Sequence, residues 1–166
     1  MSTTRAARVL LVQDVPASIA YQRELFERTA AAHDLDLEID GFDLDRPIQH
    51  LLDSLQQDDQ PAFYDWMVTD LLAPNEELND SSGLRLLWAL HDARLLGGYR
   101  APSPSPRGIR CVAVCSVCVD HGHTDLPDLA AQFDQLGVRS EWLARGGDAA
   151  DLVERICVSV RGELTA

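Results

Sequence analysis

The sequence predicts an α/β fold in which five parallel strands form one sheet covered by helices on both faces. Short runs rich in apolar and β-branched residues alternate with stretches of helical periodicity, five times along the chain. The chain has 166 residues, of which 46% are hydrophobic and 25% charged, as in an ordinary globular domain. Because crossovers between parallel strands are almost always right-handed, such β–α units place helices on both sides of the sheet.

The predicted strands are short and largely apolar. The first, Arg8 to Val12, contains four successive apolar residues, which is typical of a strand buried on both faces. The remaining strands are predicted at Leu37 to Phe42, Tyr64 to Thr69, Ile109 to Val117 and Glu141 to Ala144. In the five-unit strand order 2-1-3-4-5, the first and third strands are neighbours.

Each predicted helix carries apolar residues on one face. Pro16 begins the first helix, and we expect Asp45 and Asp148 to cap the second and fifth, because a short carboxylate can accept hydrogen bonds from first-turn amides. We expect one buried face on each helix. From the first helix to the fifth, these faces are Ile19, Leu25, Phe26 and Ala30; Ile48, Leu51, Leu52 and Leu55; Leu84, Leu87, Trp88, His91 and Leu95; Leu126, Leu129, Ala130 and Phe133; and Leu152, Val153, Ile156 and Val160.

The chain reads as one domain, with a core over about 8–160 and neither an internal repeat nor a domain boundary. Two connections are long for a compact domain: an acidic, polar loop at 74–82 and a proline-punctuated loop at 97–108. We interpret the second as a surface insertion. The first follows a predicted functional residue, so both a functional role and a tolerated insertion stay open for it.

Charge and hydropathy limit which binding partners and which cellular compartment we expect for this chain. The net charge is −13, which argues against nucleic acid and anionic lipid as partners, and all fourteen basic residues are arginine. The longest nearly apolar stretch, Cys111 to Val119, is about half of what crosses a bilayer, and the N-terminus lacks a signal-peptide core. Three of the four cysteines crowd into that stretch, so we expect no disulfide framework and a cytoplasmic location.

Two acidic residues follow strands that are neighbours in this fold. Asp14 comes directly after the first strand region and Asp70 directly after the third. Ligands of open parallel sheets gather at the carboxyl ends of the strands, where both carboxylates would meet. Paired carboxylates suit Mg²⁺, and a carboxylate held beside Mg²⁺ can attack phosphorus because the metal offsets charge repulsion.

These blocks, in this order, resemble the receiver domain of two-component response regulators. The matching segments are RVLLVQD-VP, DWMVTDLLAP followed by SGLRLL, and WLARGGDAADLVERI, which together lie between Arg8 and Val160. The resemblance implies a flavodoxin-like (CheY-like) three-layer sandwich. The chain would be an atypical receiver that stands alone, since no output domain follows the last helix.

The resemblance also implies roles for single residues. Asp70 matches the phosphoacceptor, and Asp14 matches an acidic residue that binds Mg²⁺ directly. Leu72 matches the position whose backbone carbonyl contacts the metal. Trp142 is similar to the switch aromatic of the fifth strand. The family's proline and glycine after the third strand correspond to Pro74 and Gly83.

Several positions depart from the family pattern. Gln13 stands in place of the first acidic residue, which removes one charge from the expected metal pocket. Cys115 occupies the place of the family hydroxyl, with Ser116 one residue later, so either a one-residue shift brings the serine in or the hydroxyl contact is lost. Arg145 replaces a lysine, and a planar guanidinium is not equivalent to a compact ammonium. Gly146 replaces the proline that follows.

The implied function is that of a single-domain response regulator. A histidine kinase or phosphotransfer protein would donate the phosphoryl group, and a downstream protein target would read the changed surface. The chain would act as a phosphoacceptor in signalling, with no nucleic acid partner and no membrane insertion, rather than as an enzyme that turns over a substrate.

Two other interpretations remain open. A pseudo-receiver that is never phosphorylated and acts as a constitutive protein-interaction module would explain the departures at Gln13 and Arg145. A zinc or redox protein would use Cys115 and Cys118, whose C-x-x-C spacing is followed by two histidines at 121 and 123. His91 lies on the apolar face of a predicted helix and is interpreted as a core or boundary residue.

Overall fold

Five strands and five helices alternate along the chain. The computed structural model describes residues 5–57, 63–70, 82–97, 107–115, 126–143 and 148–165, with only the helical path given for 126–130. The elements are β1 (Ala7–Gln13), α1 (Pro16–Ala32), β2 (Leu37–Asp43), α2 (Ile48–Gln56), β3 (Phe63–Thr69), α3 (Ser82–Asp92), β4 (Gly108–Val114), α4 (Leu126–Leu136), β5 (Arg139–Trp142) and α5 (Ala149–Thr165).

The strands form one parallel sheet in the order β2-β1-β3-β4-β5. This order confirms the predicted doubly wound topology, and with helices between successive strands it defines a flavodoxin-like fold. The adjacent inner strands β1 and β3 pair from Val9 opposite Trp66 to Val12 opposite Thr69. Their carboxyl ends therefore finish side by side in the middle of one sheet edge.

Side chains that alternate along the strands fill two separate cores. Leu10 and Met67 belong to a core on the side of α2, α3 and α4. Leu11 and Trp66 belong to the core on the side of α1 and α5. The period-2 alternation of strand side chains divides the apolar residues of the inner strands between these two layers, as expected for a sheet buried on both faces.

The helix starts show which capping predictions are correct. The Asp148 carboxylate accepts a hydrogen bond from Ala150 N at 3.1 Å, which confirms the predicted cap of α5. The predicted Asp45 cap of α2 is wrong. The N-cap residue is Pro47, which makes no side-chain hydrogen bond. Asp45 lies two residues too early, and its own amide donates to the Asp43 carboxylate at 2.9 Å.

Several element ends differ from the predictions, and β5 stops at Trp142 rather than at Ala144. The strand predicted to reach Val117 ends at Val114, and the last strand begins at Arg139 rather than at Glu141. Each strand extends only as far as its neighbours can pair with it, and the pairing between β4 and β5 runs from Cys111–Arg139 to Val114–Trp142. Helix α3 ends at Asp92 because Arg94 has a positive φ of 59°, although Leu95 beyond it is still buried.

Most of the two long connections, at 71–81 and 98–106, lies outside the described residues. Their predicted roles are therefore not addressed by the structure. Among the helices that are described, none has the length and apolar character needed to cross a membrane.

Candidate functional site at the carboxyl edge of the sheet

Asp14 and Asp70 lie at the same edge of the sheet, at the ends of adjacent strands. The backbone N–H of Asp70 donates to Val12 O at 3.3 Å, which extends the pairing of β1 and β3 by one residue. Continuing the register from Val12 opposite Thr69 sets Asp70 beside Gln13, with Asp14 next along the chain. Both aspartates are half-buried. The predicted meeting of two acidic residues at one rim is thus compatible with the backbone placement.

Cys115 occupies the corresponding position on the other side of Asp70. Its N–H donates to Thr69 O at 3.0 Å, and Thr69 pairs with Val114. Burial raises the pKa of the Cys115 thiol, and the nearby negative charge of Asp70 raises this pKa further. Cys115 therefore lies next to the acidic residue, as a neutral thiol at neutral pH.

Gln13 lies beside Asp70 on the opposite side from Cys115, at the end of β1. Its side chain is 3% exposed, and within the described part of the chain its Nε2 has no hydrogen-bond partner. Its backbone is held firmly, because Gln13 O accepts a hydrogen bond from Leu44 N at 2.9 Å. The sequence indicated the substitution at this position, but it did not indicate that the amide would be buried without a partner.

The donor set of this edge suits a hard cation. Mg²⁺ in proteins is often held by one or two carboxylates and keeps several water molecules, so Asp14 and Asp70 together fit it. Across the described ranges, no three histidine, cysteine or acidic side chains cluster closely enough to hold a metal by themselves. A cation here would thus depend on the aspartate pair, on water and on backbone oxygen.

Of the remaining predicted site residues, the structure describes Trp142 but not the other three. Leu72, Ser116 and Arg145 lie outside the described residues, so their roles stay expectations. Trp142 ends β5 and packs edge-on against Phe133 of α4, with ring centroids 4.9 Å apart.

The end of β5 is anchored to the last helix through Arg155. Its guanidinium donates to Trp142 O at 3.0 Å and to the Glu141 carboxylate at 2.7 Å. The β5 end, where the switch aromatic was predicted, is therefore tied to α5, and Trp142 itself packs against α4.

The predicted cysteine–histidine cluster is described only in part. Cys111 is 2% exposed on β4, where burial raises the pKa of its thiol to about 11. Such a thiol behaves as a small apolar side chain. Cys118 and the histidines at 121 and 123 lie outside the described residues, so the zinc or redox hypothesis stays a prediction.

His91 lies at the edge of the core. Its ring packs edge-on against Trp88 with centroids 5.4 Å apart, and its Nδ1 lies 3.4 Å from the Asp92 carboxylate. This placement agrees with a boundary histidine.

Sequence reasoning did not predict a cleft of about 310 Å³ between α2 and the edge strand β2. At one end Tyr64 donates to the Asp40 carboxylate at 2.6 Å, and the Arg8 guanidinium lies 4.5 Å from the Tyr64 ring centroid. Burial raises the pKa of Tyr64 well above its ordinary value. Arg46, His50 and Ser54 also line the cleft. Their spacing of four residues was the signal in the sequence that could have indicated this surface. Asp14 and Asp70 are not among its lining residues.

The strand order and the two aspartates define an α/β protein of flavodoxin-like topology with an acidic pair at the carboxyl edge of its sheet. No protein-family model matches the chain, and no curated protein matches it. It is similar to a solved structure described as the bacteriophytochrome response regulator RtBRR, with a TM-score of 0.49, 18% identity, and coverage of 98% of this chain and 80% of that chain. A likeness of this extent carries no argument about function, and the fold class follows from the strand order itself.

The contact between Cys115 and Asp70 predicts a measurable change in thiol reactivity. Because the Asp70 charge raises the pKa of Cys115, Asp70→Asn should lower that pKa and speed alkylation of Cys115 at pH 8 severalfold. Alkylation by iodoacetamide can be followed by peptide mass analysis, with Cys157, which is 1% exposed, as the internal reference. Equal rates in the two proteins would show that the carboxylate does not act on the thiol.

Proposed function

We propose that this chain is an atypical receiver domain that accepts a phosphoryl group on Asp70. The observation that carries the proposal is the placement of Asp14 and Asp70 at the ends of adjacent parallel strands, at the edge where ligands of this topology bind. The order of the sequence blocks, which resembles that of response regulator receivers, supports the same assignment.

The transfer requires one bond to form and one to break. A carboxylate oxygen of Asp70 forms the new O–P bond while the bond between phosphorus and the leaving group breaks, and the leaving group departs with that electron pair. Asp14, Asp70 and the backbone carbonyl of Leu72 would hold Mg²⁺, which stabilises the charge on the transferring group. Arg145 would neutralise the remaining phosphoryl charge, and Cys115 or Ser116 would contact one of its oxygens.

Signalling would then pass through protein contacts. A histidine kinase or phosphotransfer protein would supply the group, and a downstream protein would bind the surface formed by α4, β5 and α5. Trp142 would report the change, and its contacts support this role, since its ring packs against Phe133 of α4 and Arg155 of α5 donates to its carbonyl. Phosphorylation shifts such a surface only through contacts that differ between the two states.

Intact-mass analysis after incubation with acetyl phosphate and Mg²⁺ tests the proposal. The wild-type chain should gain one phosphoryl group, with acetate as the leaving group, and Asp70→Asn should gain none. Asp53→Asn, an exposed carboxylate on α2 that accepts a hydrogen bond from Gln49, is the matched control and should be labelled like the wild type. Absence of labelling in the wild-type chain over a wide range of Mg²⁺ concentrations would contradict the proposal.

A pseudo-receiver is the second candidate, favoured by one observation. Gln13 puts a neutral amide where the family pattern has an acidic residue, and this weakens the expected metal pocket. A constitutive interaction module would bind its protein target equally well with Asp70 or with Asn at that position. A difference in target binding between wild type and Asp70→Asn after phosphodonor treatment would rule this candidate out.

A further inference from the structure

The side-chain amide of Gln13 is buried at the carboxyl end of β1. It is 3% exposed, and its Nε2 donates to no other group in the described part of the chain. A buried donor left without an acceptor destabilises a folded protein, and most buried polar groups are therefore hydrogen-bonded. At the sheet edge where ligands of this topology bind, such a donor is available to an acceptor on a bound group.

The backbone register places Gln13 beside Asp70. Neighbouring strands are roughly 4.8 Å apart, and the continued register sets Gln13 next to Asp70. Gln13 lies two residues after Leu11 on β1, and Asp70 lies two residues after Val68 on β3. Leu11 and Val68 both belong to the core on the side of α1 and α5. Because strand side chains alternate between the two faces of a sheet, positions 13 and 70 belong to that same face. The hydrogen bond from Leu44 N to Gln13 O prevents the strand end from moving away.

We propose that Gln13 donates a hydrogen bond from Nε2 to an oxygen of the phosphoryl group on Asp70. This inference rests on the proposed function and adds the way in which this site stabilises the group. An amide in place of a carboxylate removes one negative charge beside an incoming anion and adds one donor. Gln13 thereby performs part of the stabilisation that would otherwise require a cation, and phosphorylation depends less steeply on Mg²⁺ concentration than it would with an acidic residue at position 13.

Replacing the amide by an apolar side chain of similar length tests the inference. Gln13→Met removes the unsatisfied donor, so the free protein should melt roughly 2–4 °C higher than the wild type. In the presence of Mg²⁺ and beryllium trifluoride, a mimic of a carboxylate-bound phosphoryl group, the wild type should gain thermal stability and Gln13→Met should lose most of that gain. Its labelling rate with acetyl phosphate should fall about tenfold.

Gln22→Met is the matched control. Gln22 is 6% exposed on α1, and its Oε1 also lacks a partner within the described residues. The same substitution there should change the melting temperature of the free protein without changing the response to beryllium trifluoride. Gln13→Glu, which keeps the shape and removes the donor, should steepen the dependence of labelling on Mg²⁺ concentration, and it provides a second variant should the methionine fail to fold.

The outcomes separate this inference from the proposed function. If the wild type is labelled and Gln13→Met and Gln13→Glu match it in rate and Mg²⁺ dependence, the role of Gln13 is refuted while the phosphoacceptor assignment stands. If Gln13→Met lowers the melting temperature of the free protein, the amide already has a partner and the inference fails. If the wild type is never labelled, the proposed function itself fails.

Discussion

Replacing Gly108 with alanine should lower the free energy of unfolding by about 3 kcal/mol or more. Gly108 begins β4 with a positive φ of 96°, a conformation that side chains rarely adopt. A Cβ there would lie 2.0 Å from Leu95 O and 2.6 Å from Leu95 C. The backbone cannot easily yield, because Ile109 N donates to the same Leu95 O at 2.7 Å. Urea-induced unfolding followed by far-UV circular dichroism measures the loss.

Two other glycines provide graded controls. Gly137 has a positive φ of 67°, but a Cβ added there would meet no atom within 4 Å, so Gly137→Ala should cost only the backbone strain, about 1 kcal/mol. Gly162 lies within α5 with open space around it, and Gly162→Ala should be neutral or stabilising by up to about 1 kcal/mol. If Gly108→Ala unfolds at the same urea concentration as Gly137→Ala, the close contact with Leu95 is not a constraint.

Asp65→Ala is expected to destabilise the fold by about 3 kcal/mol. The Asp65 carboxylate on β3 is 2% exposed and accepts two hydrogen bonds from the Arg5 guanidinium, at 2.6 and 2.9 Å. It also accepts one from Arg8 N, at 2.9 Å, at the start of β1. Removing the carboxylate takes the acceptor from this partly buried backbone N–H and releases Arg5 from the sheet.

An exposed ion pair is the control for Asp65. Glu24 and Arg28 lie one helical turn apart on α1 at 4.0 Å, and both side chains are 68% exposed. Glu24→Ala should change the unfolding free energy by less than about 0.5 kcal/mol, because exposed pairs are screened by water and salt. A similarly small effect for Asp65→Ala, measured by the same urea titration, would show that its three hydrogen bonds contribute little.

The contact of Asp65 with Arg8 also bears on the candidate site at the far end of the sheet. It ties β1 to β3 where the pairing begins, one residue before Val9 meets Trp66. A shift of one residue along β1 would turn every side chain to the opposite core. The register that sets Gln13 beside Asp70 is therefore held at both ends, by this carboxylate and by the bond from Asp70 N to Val12 O.

Local signals in the sequence were sufficient for much of the fold. The alternation of apolar strands with helical periodicity predicted the five β–α units, and the handedness of crossovers led to the parallel sheet, covered by helices on both faces, that the structure confirms. Capping was predictable only where the carboxylate stood immediately before the helix. Asp148 does so, whereas Pro47 separates Asp45 from α2, and this spacing decides whether the side chain can reach a first-turn amide.

The amino-acid sequence by itself determined which segments form strands and helices and the positions of Asp14 and Asp70 at strand ends, because apolar periodicity is a local property. Tertiary structure alone decided where β4 and β5 end, that Cys115 stands beside Asp70, and that the amide of Gln13 is buried with no partner among the described residues. These features depend on which neighbours a residue meets across the sheet. Contacts between segments distant in the chain arise only when the whole domain packs.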